Sequence, residues 1–178
     1  MSEIAIVPVG AVGREMLEYL AVSLPGLFGV RCRLDGRAVE PSDAYSPGRR
    51  QYHSTALLAQ LAALDAGAGD KILGVADVDL FIPVFTFVFG EAQLRGHAAL
   101  FSLRRLRQQF YGLPADDLLF HERCEKEAAH ELGHTYGLTH CPRHECVMHF
   151  SNSVEQVDLK AGLFCDACEA LLPNARRE

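Results

Sequence analysis

The amino-acid sequence predicts a mixed α/β (α+β) fold in one domain of 178 residues, a mixed sheet with helices packed on it. Three observations carry that reading. Strand-like and helix-like apolar patterns alternate between Ile4 and Val75. More strand patterns follow up to Leu103, and a long helical pattern then ends near Tyr136. The length suits one domain with a sizeable core, and 49% hydrophobic residues exclude a disordered chain.

Residues 4–8 form an unbroken apolar run, the mark of a buried first strand. Met16, Leu17, Leu20, Ala21 and Leu24 then recur at helical spacing, and Pro25-Gly26 should stop that helix. Val30, Cys32 and Leu34 alternate with arginines, as in a half-buried strand, which makes Cys32 a core thiol. Residues 40–48 hold two prolines and several small polar side chains and read as a loop. A second helix covers residues 54–64 with Leu57, Leu58 and Leu61 inward, and a short strand covers residues 71–75. Phe85, Phe87 and Phe89 alternate with Thr86 and Val88, so a strand with an aromatic face is expected there; residues 98–103 are a further strand. Residues 104–110 fit a short helix or an irregular connection. Asp116 and Asp117 open the long helix, since aspartate is favoured at the cap and first turn.

That helix carries His130-Glu131-x-x-His134-x-x-Gly137-x-x-His140. Histidines four apart share one helix face, one turn apart, and both can reach one ion. Glu131 can reach a water on that ion without occupying the metal. His140 cannot bind from the same straight helix, because it would lie about 9 Å beyond His134 along the axis. The chain must turn back, and Gly137 sits where a helix stops on a residue of positive φ. A three-histidine set leaves zinc an open position and activates water.

Cys141-x4-Cys146 and Cys165-x-x-Cys168 supply four thiols at the spacing of a closed, structural zinc site. Independent buried cysteines, or a redox pair at Cys165 and Cys168, are the alternatives. Cys141 directly follows His140, so the two sites would share a short stretch of backbone. Two zinc ions, one catalytic and one structural, are the expected cofactors.

Net charge is −6 and the pI about 5.7. With no Lys/Arg run, nucleic acid is not expected as a partner. The apolar run at the N-terminus has no basic flank, and no stretch is long enough to span a bilayer. Neither a secretory signal nor a membrane is expected, and a cytoplasmic monomer is.

These residues resemble a known family. The zinc motif ending at His140 looks like that of metzincin metallopeptidases. Cys141, Cys146, Met148, Cys165 and Cys168 together look like an archaemetzincin, as do Arg49-x-Gln51-Tyr52, Asp79-Leu80 and Phe87-Val88-Phe89-Gly90-Glu91-Ala92 upstream. The resemblance implies a compact metzincin-like domain over residues 1–178. A twisted mixed sheet with its active-site helix would fill about 1–137, and a zinc-stapled part about 138–178. It implies His130, His134 and His140 as ligands of the catalytic zinc and Glu131 as general base and acid. Met148 would form the methionine turn, and a cleft would run beside an edge strand.

The expected function is zinc-dependent hydrolysis of peptide bonds in a peptide or protein substrate, as a peptidase or aminopeptidase. A hydrolase of a non-peptide amide, or a non-catalytic zinc protein that binds peptides, are the alternatives; an intact Glu131 argues against the last. If residues 85–89 are the sheet edge, Thr86, Phe87, Val88 and Phe89 could pair with an extended peptide; otherwise the phenylalanines fill core. Glu127, one turn before Glu131, is a solvated residue or an acceptor for a ligand imidazole. His144 and His149 read as exposed loop residues that could line a site. Asp77 and Asp79 read as capping or turn residues, and His53, His97 and His121 carry no spacing signal.

Overall fold

The computed structural model describes residues 2–172. β1 (Glu3–Val9) leads into α1 (Arg14–Ser23), the single turn α2 (Pro25–Phe28) and β2 (Arg31–Leu34). The short strands β3 (Tyr45–Ser46) and β4 (Gln51–His53) precede α3 (Ser54–Ala62), which is followed by β5 (Lys71–Ala76), β6 (Leu80–Phe81), β7 (Gly90–Ala92) and β8 (Ala98–Ser102). The rest is helical: α4 (Asp117–Thr135), α5 (Val154–Leu159) and α6 (Asp166–Glu169).

The main sheet has the order β2-β1-β5-β8-β7. Its first four strands are parallel, and β7 runs antiparallel to β8 at the edge. A smaller sheet, β3-β4-β6, stands beside it. Period-two alternation splits the central strands between two cores. Ile4, Ile6, Leu73, Val75, Ala99 and Phe101 face α1 and α4. Val7, Val9, Ile72, Ala76, Ala98 and Leu100 face Leu57, Leu58 and Leu61 of α3. Strands covered on both faces have no polar side, which is why residues 4–8 are uniformly apolar. The fold is thus a single mixed α/β domain.

α4 begins where Asp116 accepts a hydrogen bond from the Leu119 N–H at 3.0 Å. Ala128, Ala129 and Leu132 bury its sheet-facing side. It ends in a two-bond turn: the Gly137 N–H donates to the His134 carbonyl and the Leu138 N–H to that of Gly133. Gly137 has φ +96°, a conformation that costs a side-chain-bearing residue about 1–2 kcal/mol.

Three expectations are corrected in detail, and one left open, at residues 104–110, is resolved. Pro25 starts a further helical turn that ends at Gly29, because proline is well placed in a first turn. Residues 40–48 include a short 3-10 turn, Ser42–Ala44, and β3. Residues 104–110 fall into two 3-10 turns, Arg104–Leu106 and Gln108–Tyr111. The largest difference is at Phe85, Thr86, Phe87, Val88 and Phe89, which are no strand: Phe85 closes a turn onto Ile82, and only Val88 makes a single bridge, to Leu80. Side chains from elsewhere take the carbonyls of Phe85 and Thr86, and the edge strand starts at Gly90.

Candidate active site

α4 puts His130 and His134 one turn apart, and the turn after Gly137 brings His140 back over them. The ring centroids of His130 and His134 lie 5.3 and 5.0 Å from that of His140. The Nε2 atoms of His130 and His134 are 3.2 Å apart. Nδ1 of His130 donates to the Val147 carbonyl and Nδ1 of His134 to that of Leu138, both at 2.8 Å. A carbonyl only accepts, so both Nδ1 atoms carry the proton and both Nε2 lone pairs face the common point. Burial pushes all three imidazoles below the ordinary histidine range, which keeps them neutral and able to bind a cation.

Glu131 is buried and lines the same cleft. Burial first, and the Glu127 carboxylate second, push its pKa well above the usual carboxylate range. Gly90 on the edge strand lies directly over it. A Cβ there would stand 2.6 Å from Glu131 Cγ, 2.7 Å from Oε1 and 2.5 Å from the Leu100 carbonyl oxygen. Glu127 is neither solvated nor bonded to a ligand imidazole. It is buried, with its Oε1 2.9 Å from Nζ of Lys160, a charge pair without hydrogen-bond alignment. Lys160 lines the cleft although it is only 2% exposed.

The thiols of Cys141, Cys146, Cys165 and Cys168 lie within 4.8 Å of one another, the second ligand set among the described residues. A hydrogen bond from the Cys168 backbone pulls the Cys165 thiol down to about 7, whereas burial raises those of Cys146 and Cys168. Cys32 is apart from them, half-buried against the core on β2. Met148 is fully buried beneath α4, where a Cβ on Gly133 would collide with its sulfur. The Cys141 N–H donates to the Met148 carbonyl, and Val147 supplies the acceptor for His130, so one loop ties both ligand sets together.

The cleft over the histidines has a volume of about 490 Å³. Phe85, Phe87, Phe89, Leu94 and Phe150 make much of its wall. Phe150 packs on His140 with centroids 5.2 Å apart. Thr86 and Val88 line the wall as well, as a loop beside β7.

Other polar residues singled out by type serve the fold. His53 caps α3 and His97 bonds the Ala62 carbonyl. Asp77 pairs with Arg107 and Asp79 with Arg105. His144 and His149 meet edge to face with centroids 4.5 Å apart, and His149 bonds the Cys141 carbonyl. Lys160 and Gly90 are what sequence reasoning missed. No spacing marks Lys160; Gly90 stands one residue before Glu91-Ala92 in a stretch already set apart, and a glycine entering a strand signals a close approach.

The model of peptidase family M54 matches residues 21–174. The chain belongs to that family, the archaemetzincins. It is 44% identical to the archaemetzincin of Methanocaldococcus jannaschii over 165 residues, 93% of this chain and 89% of that one. The crystal structure of the Archaeoglobus fulgidus archaemetzincin, complexed with malonate, superposes with a TM-score of 0.82 at 40% identity, covering 95% of this chain and 99% of that one. The Methanopyrus kandleri archaemetzincin gives 0.83 at 34% identity, covering 99% and 96%. As an archaemetzincin the protein is a zinc-dependent metallopeptidase, and its three-histidine and four-cysteine sets are the donor sets that a catalytic and a structural zinc require. Among the described residues no helix is long and apolar enough to cross a membrane.

Proposed function

We propose that the protein cleaves peptide bonds in a short extended segment laid along β7, with Glu131 as the proton carrier. The observation that carries this is the buried Glu131 carboxylate, under the Gly90 backbone, in the same cleft as three histidines with converging ring nitrogens. His130, His134 and His140 hold the catalytic ion. Zinc held there would supply Lewis acidity and lower the pKa of a water to about 7. Glu131, buried in the same cleft, takes the proton of the attacking water and returns it to the leaving amine. The three imidazoles stay neutral donors, and the Val147 and Leu138 carbonyls fix the tautomers of His130 and His134.

β7 pairs with β8 on one side only and ends the sheet, so its other edge can add a strand of substrate. Thr86, Phe87, Val88 and Phe89 then serve as the side wall, and their rings favour apolar side chains next to the scissile bond. Cys141, Cys146, Cys165 and Cys168 hold the structural ion, Met148 floors the catalytic site, and Gly137 makes the reversal that delivers His140. Of the expected division of one domain at about residue 137, residues 2–137 are the sheet-and-helix part and 138–172 the zinc-stapled part, with Met1 and residues 173–178 outside the described residues. A cytoplasmic monomer acting without nucleic acid is the setting we assign: six cysteines free of disulfides suit a reducing compartment, and the acidic balance disfavours polyanions.

The test is zinc-loaded enzyme against a peptide library in which each peptide has a free and an acetylated N-terminus. Internal cleavage of both forms identifies an endopeptidase, and loss of cleavage on acetylation an aminopeptidase. No cleavage of any peptide, with turnover of simple non-peptide amides, overturns the peptide assignment.

A further inference from the structure

The cleft wall at Phe85, Thr86 and Phe87 is a loop, yet each of these residues is gripped by a different side chain from behind. Arg49 donates to the Phe85 carbonyl at 2.8 Å. Gln51, only 6% exposed, donates through one Nε2 to the Thr86 carbonyl at 2.9 Å and to Asp79 Oδ2 at 3.0 Å. Arg105 grips Asp79 with two nitrogens and lays its guanidinium 4.1 Å from the centre of the Phe87 ring. Arg49 also bonds Gln51 Oε1 and stacks over Phe81, which closes the group into one network. None of the four side chains lines the cleft or touches the histidines. They include the Arg49-x-Gln51 and Asp79 positions that the peptidase chemistry leaves without a task.

We propose that Arg49, Gln51, Asp79 and Arg105 are positioning residues, a brace that sets the place of the aromatic wall and so governs substrate binding and side-chain choice. A strand would hold these carbonyls by its ladder. Here the ladder is missing, and unheld carbonyls would leave the wall free to take several shapes. An ordering cost would then fall on each substrate that binds. Charge-assisted and bidentate bonds are the strong kind, and this network has both. The proposal rests on the peptidase reading for its kinetic half only.

Arg49→Ala is the informative variant, because Arg49 is exposed and its loss opens no core. With the full-length zinc-loaded protein we expect KM to rise roughly three- to tenfold at a kcat within about twofold. Zinc content and Tm should stay at the parent's values, and discrimination between apolar and small side chains should narrow. Hydrogen exchange at the Phe85 and Val88 amides, which bond the Ile82 and Leu80 carbonyls, should quicken. Arg49→Lys, which keeps one donor, should recover part of both effects. Gln51→Glu is the second variant: the same shape with an acceptor facing two acceptors, expected to exceed Arg49→Ala in both readouts. Parent-like KM and parent-like exchange in both variants overturn the brace, as does a fall in kcat at constant KM. A parent that cleaves no peptide overturns the peptidase reading instead, and exchange alone then decides on the brace.

Discussion

Glu131 keeps its place because Gly90 has no side chain. Gly90→Ala puts a methyl within 2.7 Å of the carboxylate and 2.5 Å of a backbone oxygen that cannot swing away, so Glu131 must move. We expect activity to fall by roughly a factor of a hundred, in line with losing a well-placed base. Zinc content should be unchanged, and activity close to the parent's would show that Glu131 tolerates displacement. Glu131→Gln should likewise keep both metals and lose roughly 10²–10⁴ in kcat; zinc loss in that variant would make Glu131 a ligand. The Lys160–Glu127 pair is of another kind. Both side chains are almost fully buried, so Lys160→Met leaves a carboxylate uncompensated beside Glu131. Breaking one partner of such a pair costs about 3–5 kcal/mol, whereas replacing both by apolar groups is often neutral. Lys160→Met should therefore melt well below the parent, and Lys160→Met/Glu127→Leu should recover most of the loss. Equal Tm values for the single and double variants would contradict this.

The C-terminal end of α4 carries the reversal to His140, and two elements secure it. Arg95, in the turn between β7 and β8, adopts φ +60° and donates its N–H to the His134 carbonyl at 3.0 Å. Lys71 of β5 donates to the Thr135 carbonyl at 3.0 Å and lies 4.8 Å from the centre of the Tyr136 ring. A cation at a helix C-terminus is favourable and here also satisfies a carbonyl left over by the helix. Lys71→Met should cost about 1–2 kcal/mol by chemical denaturation and loosen the catalytic zinc, seen as faster loss to a chelator. Denaturation and zinc release both matching the parent would place Lys71 outside the support of the site. α4 itself is legible in the sequence, from its aspartate cap to its glycine stop, because a long amphipathic helix repeats its signal over several turns. β1, β5 and β8 are legible as continuous apolar runs. Phe85, Phe87 and Phe89 mislead because alternation records only which side chains share one side, and a loop that turns three rings into a cleft alternates as a strand does. β3, β4 and β6 have two or three residues each, too few for any period to register. The histidines and cysteines are legible because metal geometry constrains their spacing, whereas Lys160 meets Glu127 only through the tertiary fold.

Across the whole molecule the two ligand sets are joined at a peptide bond, His140 to Cys141, and again through the Met148 carbonyl. The closed four-thiol set should hold its ion longer than the open three-histidine set, so a chelator of moderate strength should strip the catalytic zinc first. Release in one step, or in the reverse order, would contradict the assignment. Cys165→Ser should lower Tm and speed proteolysis beyond about residue 146 while leaving the histidines able to bind zinc. A variant that melts like the parent and keeps both metals would make these cysteines ordinary buried thiols. A final consequence lies in the length of β7. Its three residues give a landing strip of roughly 10 Å at about 3.4 Å per residue. A folded protein cannot lend so much extended backbone until part of it opens. Its rate of cleavage should then follow the free energy of its own local opening. Plotted across a series of destabilised versions of one target, the logarithm of the rate should fall in a straight line with target stability, so that the peptidase gauges the looseness of the chains it meets.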